Sequence, residues 1–383
     1  MTIAEILSNE DLRQQEFPVT KEKIFLSHAA VCPLPRRVSE AVRTYASQAM
    51  TGDQETFVPP AQISRFRQNA AKLLNVEAEE VAFVGPTSLA LSFVAGGLEW
   101  KRGDNVLVYF DDYPSNVYPW LALAEKGVQV RLINIRELGK IRDIDIIGQV
   151  DESTRLVALA SCHFVSGWRL DVESIGKYLR KKNILFCLDS IQTLGAFPTP
   201  LKYVDFAAAD AHKWLLGPCA AGVFYVRKEV QDLLKPTVYG WHNVYCPNFA
   251  AQEEIRFYST AQRYEAGSEN LLGIVALNAA IELLLEVGVE NIAQELLRKR
   301  SLLVPALQGK GYTVLQADAP PTNASGIVTF YREGTDMAAL HKSLDSSGVV
   351  TSLRMDRSGN KYIRLSPHFY NTDAELQRAL ELL

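Results

Sequence analysis

Two residues near the middle of the chain have the types and the setting to act together on an organic cofactor. They are Asp189, in Asp189-Ser190-Ile191-Gln192, and Lys213, in Ala211-His212-Lys213-Trp214. Each follows a short apolar run. Residues 184–188 read as a buried strand ending at the Asp189 carboxylate, and residues 205–209 as a second strand that delivers His212 and Lys213. Taken singly, an acid at a strand end often caps a helix, and a lysine after a strand is often a solvated charge. Here the apolar run Trp214-Leu215-Leu216-Gly217-Pro218 buries the lysine, and a buried lysine has a depressed pKa and serves as an amine nucleophile. An amine that binds an aldehyde as a Schiff base and an acid that keeps a pyridine nitrogen protonated are the two groups that pyridoxal 5'-phosphate needs.

The elements that must position this pair alternate in type. Residues 81–84 form a strand leading through Gly85-Pro86-Thr87-Ser88 into an apolar helix over 89–100. Strands follow at 105–110, 128–133 and 156–160, with helices at 115–126 and 174–182, then the two strands already described and another at 222–226. Short apolar strands alternating with helices predict a largely parallel sheet covered on both faces. A helix over 271–286 opens a change of style, with strands at 312–315, 326–331 and 362–365 and a terminal helix begun by the capping box Thr372-Asp373-Ala374-Glu375. The expected division is an N-terminal arm (1–20), a large cofactor-binding domain (21–265) and a connecting helix with a small α+β domain (266–383). Residues 239–257 form one long irregular segment, the kind of loop that lines active sites.

The 383-residue length allows two domains with real cores, and 48% hydrophobic with 22% charged residues is ordinary globular composition. A net charge of −4, with only short basic clusters such as Arg180-Lys181-Lys182, argues against a nucleic-acid partner. No apolar run reaches membrane-spanning length, so no membrane partner is expected, and the polar, acidic first 18 residues do not read as a secretory leader. Five cysteines without CxxC spacing predict a reducing compartment, the cytoplasm, with no disulfide framework and no metal site. No GxSxG, HExxH or GxxxxGK[ST] occurs, and the GxGxxG turn of a dinucleotide-binding fold is missing.

With these motifs in place, the chain resembles the class V aminotransferases of pyridoxal-phosphate fold type I, a group that includes cysteine desulfurases, selenocysteine lyases, kynureninases and isopenicillin N epimerase-like proteins. The resemblance runs from Phe25-Leu26-Ser27-His28-Ala29-Ala30 to Leu365-Ser366-Pro367-His368-Phe369-Tyr370-Asn371, with motifs in family order. It implies an α/β fold: a mostly parallel seven-stranded sheet in a large domain, plus a smaller α+β domain. It also implies pyridoxal 5'-phosphate as cofactor, an amino-acid substrate and a homodimer with shared active sites.

The resemblance assigns roles position by position. Lys213 carries the cofactor and acts as general base, Asp189 holds the ring nitrogen, and Tyr113 stacks on the ring where many members have His. Thr87 and Ser88 begin a helix whose free amides favour a phosphate. Ser166 and Gln192 neighbour the phenolic oxygen, and His212 donates to the phosphate. Asp210, where desulfurases often carry Ser, either contacts the phosphate or orients His212. Ser268, in Arg263-Tyr264-Glu265-Ala266-Gly267-Ser268, touches the phosphate of the partner subunit. Arg364 grips the substrate carboxylate, and His28, Arg354 and Trp241 are candidates for the substrate rim. No cysteine follows Cys246, so the persulfide-forming cysteine of desulfurases is missing from the region before the arginine strand. The expected activity is transamination. Three alternatives stand beside it: β-elimination from cysteine, cystine or selenocysteine, epimerisation, and a catalytically inactive pyridoxal-phosphate-fold binding protein.

Overall fold

The computed structural model describes all of residues 1–383. Strands β1 (Val81–Val84), β2 (Asn105–Val108), β3 (Gln129–Leu132), β4 (Thr154–Ala160), β5 (Leu185–Asp189), β6 (Phe206–Asp210) and β7 (Gly222–Val226) form one seven-stranded sheet in the order β1-β7-β6-β5-β4-β2-β3. Only β7 runs against the others, pairing antiparallel with β1 and β6. Side chains alternate between the faces with the period of two that a strand imposes. Phe186 and Leu188 enter one apolar core, while Leu185 and Cys187 enter another on the opposite face. Both cores are apolar, which is why β5, β6 and β7 are apolar at nearly every position and buried throughout.

Helix α1 (Thr87–Gly97) packs its apolar residues beneath the sheet and begins directly after Pro86, with no side chain capping its first amides. Helix α2 (Val172–Lys181) is capped by Asp171, whose carboxylate accepts from the Ser174 amide. The long apolar helix α3 (Leu271–Val287) breaks at Gly288, which adopts φ +87°, and α4 (Val289–Gly309) leaves at 76° to it. No single helix is long and apolar enough to cross a membrane.

The C-terminal part builds a four-stranded antiparallel sheet from β8 (Thr313–Val314), β9 (Val328–Tyr331), β10 (Ser352–Met355) and β11 (Lys361–Leu365), ordered β10-β11-β9-β8. Its hydrophobic core includes Leu26, and Ile24–Phe25 pair in parallel with Val349–Val350. Residues just beyond the N-terminal arm are therefore bonded to the C-terminal unit, although the sequence division assigned them to the large domain.

The expected helix over 115–126 is broken into two short 3-10 turns, Pro114–Asn116 and Ala122–Lys126, around one helical turn at Tyr118–Leu121. Pro114 and Pro119 remove the amides a continuous helix would need. One glycine is demanded by packing: at Gly195 (φ +89°) a Cβ would lie 2.7 Å from the Trp214 carbonyl oxygen. The turn after Asp189 therefore closes against the Lys213 segment only with glycine there.

Candidate active site

Asp189 is the last residue of β5 and Asp210 the last of β6, so both stand at the carboxyl edge of the parallel strands, where open α/β sheets bind ligands. A cleft of about 140 Å³ opens there, lined by Thr87, Ser88, Tyr113, Asp189, Asp210, His212 and Lys213 together with three neighbours. A larger groove of about 940 Å³, lined by Lys72, Arg169 and Glu290 among others, holds none of these groups. Chemistry locates the site in the smaller cleft.

Lys213 is only 6% exposed, and its amine makes no hydrogen bond or ion pair within the chain. Its Nζ lies 5.1 Å from the centre of the Tyr113 ring. Burial lowers the amine to about 8, Asp189 opposes that shift, and the charges of Arg364 and Arg354 reinforce it. Asp189 is buried too, and burial raises its carboxyl above the ordinary value. One of its oxygens accepts the Ile191 amide at 3.0 Å, and the other accepts no bond from the chain.

Thr87, Asp210 and His212 meet at the other end of the cleft. The Thr87 hydroxyl accepts from the Asp210 amide at 2.9 Å at the uncapped start of α1. The Asp210 carboxylate accepts from the amides of Ala211, Ala220 and Ala221 and binds His212 Nδ1 at 2.8 Å. Four donors thus occupy the Asp210 carboxylate, and His212 Nδ1 is one of them.

Five sequence candidates lie outside the cleft lining. Ser166 is fully buried with its hydroxyl 3.1 Å from His163 Nδ1, away from the cleft lining. Gln192 spends both ends of its amide, donating to the Ala29 carbonyl at 3.1 Å and accepting from Trp214 Nε1 at 2.8 Å. His28 is no rim residue. Its ring nitrogens bond the Ser366 carbonyl and the Tyr370 hydroxyl inside an aromatic cluster, and burial lowers it to about 4. Trp241 is half exposed and packs on His242 and Phe249 of its own loop. Ser268 is exposed and lines an apolar cavity beside Leu89 and Val238, outside its own chain's cleft.

Arg364 and Arg354 share one face of the C-terminal sheet, since Ser352 pairs with Arg364 and Arg354 with Tyr362. Arg364 is completely buried and gives two donors away, to the Phe164 carbonyl at 2.5 Å and the Ser352 hydroxyl at 3.2 Å. Its Nε and that of Arg354 are buried without partners, and no carboxylate pairs with either residue. Two guanidinium groups without a carboxylate partner, whose charges reach Lys213, are chemically suited to hold an anion.

The sequence reading missed Asp112. Its buried carboxylate accepts from the Tyr113 amide, the Asn116 side chain and the Ala160 amide, clamping the Tyr113 turn to the end of β4. Burial and the nearby Asp189 charge raise Asp112 to about 7. The available signal was an acid directly after an apolar strand, the same signal that marked Asp189.

Pyridoxal 5'-phosphate fits this donor set. An unbonded buried amine, an acid oxygen with no partner and free amides at a helix start meet around one cleft, and each answers a separate part of that molecule. Fold and site define a pyridoxal-phosphate-dependent enzyme of fold type I. The chain belongs to the class V aminotransferase family, whose sequence pattern, described as aminotransferase class-V, matches residues 24–379.

Among its relatives, a probable cysteine desulfurase of Methanothermobacter thermautotrophicus is 28% identical, with 98% of each chain covered. An uncharacterized aminotransferase of Bacillus subtilis is 27% identical over 96% of this chain and 95% of its own. The apo cysteine desulfurase from Thermococcus onnurineus superposes with a TM-score of 0.88 at 24% identity, covering 97% of this chain and 96% of its own. The cystine C-S lyase C-DES, in complex with its product cysteine persulfide, gives a TM-score of 0.86 at 20% identity over 95% and 98% of the two chains. At these identities the two structures establish the fold.

The depressed Lys213 amine has a measurable consequence. Only the neutral amine attacks an aldehyde, so cofactor uptake by the ligand-free chain should accelerate about tenfold for each unit that pH rises towards about 8 and level off above it. Stopped-flow absorbance after adding pyridoxal phosphate reads this directly. A pH-independent rate would remove Lys213 as the limiting group.

Proposed function

We propose that this enzyme acts on an α-amino acid by moving the proton at its Cα, with transamination as the outcome. The carrying observation is the Lys213 amine, which is buried, unbonded and set over Tyr113, with Asp189 and Arg364 close enough for their charges to act on it. Bound pyridoxal phosphate supplies the electron sink that stabilises the pair left by Cα–H cleavage. Lys213 Nζ takes that proton and returns it. Asp189 would hold a proton at the ring nitrogen, and Tyr113 would face the ring, a poorer proton carrier at neutral pH than a histidine. Thr87, Ser88 and His212 hold the phosphate, and Asp210 keeps His212 in place. Arg364 takes the substrate carboxylate with its remaining N–H groups, which fixes the Cα–H bond. The exposed position of Ser268 supports a homodimer in which it reaches the second copy's phosphate. Five free cysteines support a cytoplasmic location.

A second reading is C–S bond cleavage by β-elimination. Arg354, unpaired beside Arg364, favours a substrate with two carboxylates, and cystine is one. The lyase C-DES shares the fold and acts on cystine, which is consistent with this reading. Persulfide delivery by a cysteine of this chain is disfavoured, because none follows Cys246.

The test is a visible spectrum of the purified enzyme with single amino acids, cysteine and cystine included, and no keto acid. Bleaching of the cofactor band that a keto acid then reverses identifies a transaminase. A persistent band with accumulating pyruvate and ammonia, and with sulfide from cysteine or persulfide from cystine, identifies the lyase. No response to any amine would sink both readings and leave a binding protein.

A further inference from the structure

Outside the cleft, one cluster of ligating side chains has no explanation in the proposed chemistry. His242, on the long loop, meets Glu265 and Glu269 of the segment that carries Ser268, with one ligand atom from each within 4.8 Å of the others. His242 Nδ1 is 3.7 Å from Glu269 Oε1 and 3.3 Å from the Glu265 main-chain oxygen. Glu265 is bound by Arg67 at 2.5 and 2.9 Å and by the Phe83 amide at 2.7 Å. Arg67 occupies one lone-pair site on Glu265 Oε2 and leaves another open.

Glu269 is the anomaly. Its side chain is only 7% exposed, yet neither carboxylate oxygen has a hydrogen-bond partner. One proton shared with Glu265 would satisfy a single oxygen of Glu269 and leave the other bare.

We propose that His242, Glu265 and Glu269 bind a divalent first-row metal cation, Zn²⁺ by preference, as a structural site. An imidazole nitrogen with two carboxylates and a main-chain oxygen is a mixed donor set that suits Zn²⁺ better than the all-oxygen preference of Mg²⁺ or Ca²⁺. The two carboxylates and the one Arg67 guanidinium leave one net negative charge for the cation. Binding ties the loop bearing His242 to the segment bearing Ser268 and so fixes the latter's path. The site stands apart from its own chain's cleft, and its test does not depend on the reaction the enzyme performs. It also departs from the sequence expectation of no metal, because neither spacing nor CxxC pattern announces three ligands drawn from two loops.

The test uses the holoenzyme with Cys219→Ser and Cys246→Ser, which removes the thiols outside the core as alternative ligands. After chelator treatment and dialysis, Zn²⁺ is titrated in competition with a chromophoric indicator, and the thermal midpoint is read with and without metal. The expected result is one equivalent per chain and a raised midpoint, with affinity lost about 100-fold or more in Glu269→Gln and about tenfold or more in His242→Ala. The glutamine amide can still donate to Glu265, so the metal-free midpoint of that variant should stay near the parent's. If Glu269→Gln does not fold, His242→Ala carries the test alone. Substoichiometric binding, or affinity unchanged by both substitutions, overturns the proposal and leaves a carboxylate pair sharing a proton.

Discussion

Lys213→Ala should lower turnover by about 10⁴-fold or more, with the protein still folded. Two separate losses add. The variant has no amine to hold the cofactor covalently, and it has no base at the place where the Cα proton leaves. The expected stability result separates this from simple damage. Burial depresses the Lys213 amine from 10.5 to about 8, so the folded state resists protonation of this group more than the unfolded chain does. That penalty is fully present below pH 8, fades as pH rises between the two values and is gone above 10.5. At pH 7 it amounts to about 3 kcal/mol, offset in the variant by the lost packing of the lysine stem. The ligand-free Lys213→Ala protein should therefore unfold at a midpoint no lower than the parent's. Turnover within tenfold of the parent, measured on the substrate found in the spectral screen, would remove Lys213 from the chemistry.

The groups that face the cleft were legible because polar residues interrupt apolar strands. Asp189 and Lys213 stand out from runs that only a doubly covered sheet would require, and the order of strands and helices around them predicts such a sheet. Side-chain direction was not legible. Both ends of the Gln192 amide find partners at Ala29 and Trp214, and the Ala29 contact spans 163 residues of chain, so no local pattern encodes it. His28 likewise owes its place to Ser366 and Tyr370, brought to it by the pairing of the N-terminal segment with the C-terminal unit. The amphipathic helices Arg36–Ala49 and Pro60–Leu74 went unread, as did β10, which carries Arg354. A strand of Ser, Leu, Arg and Met has weak alternation, and tertiary pairing with β11 makes it a strand.

Asp189→Asn is the second change with a large expected effect, about 10³-fold in turnover with little change in apparent substrate affinity. The amide has the carboxylate's shape, so its oxygen can still accept the Ile191 amide and the turn after β5 is kept. In the role proposed for Asp189 it lacks the negative charge that would hold a proton on the ring nitrogen, and without that proton the ring is a poorer acceptor for the electrons of the Cα–H bond. The substitution also changes the site's electrostatics in a way that can be followed. Asp189 is one of the charges that raise Asp112 to about 7 and the one that most favours the charged form of Lys213. Removing it should lower the Asp112 carboxyl and depress the Lys213 amine further. The pH at which cofactor uptake levels off should then fall below about 8, so uptake at neutral pH becomes faster while turnover collapses. A variant that loses both together would point to a collapsed cleft; opposite movements of the two rates identify Asp189 as the group that controls the cofactor's electronics.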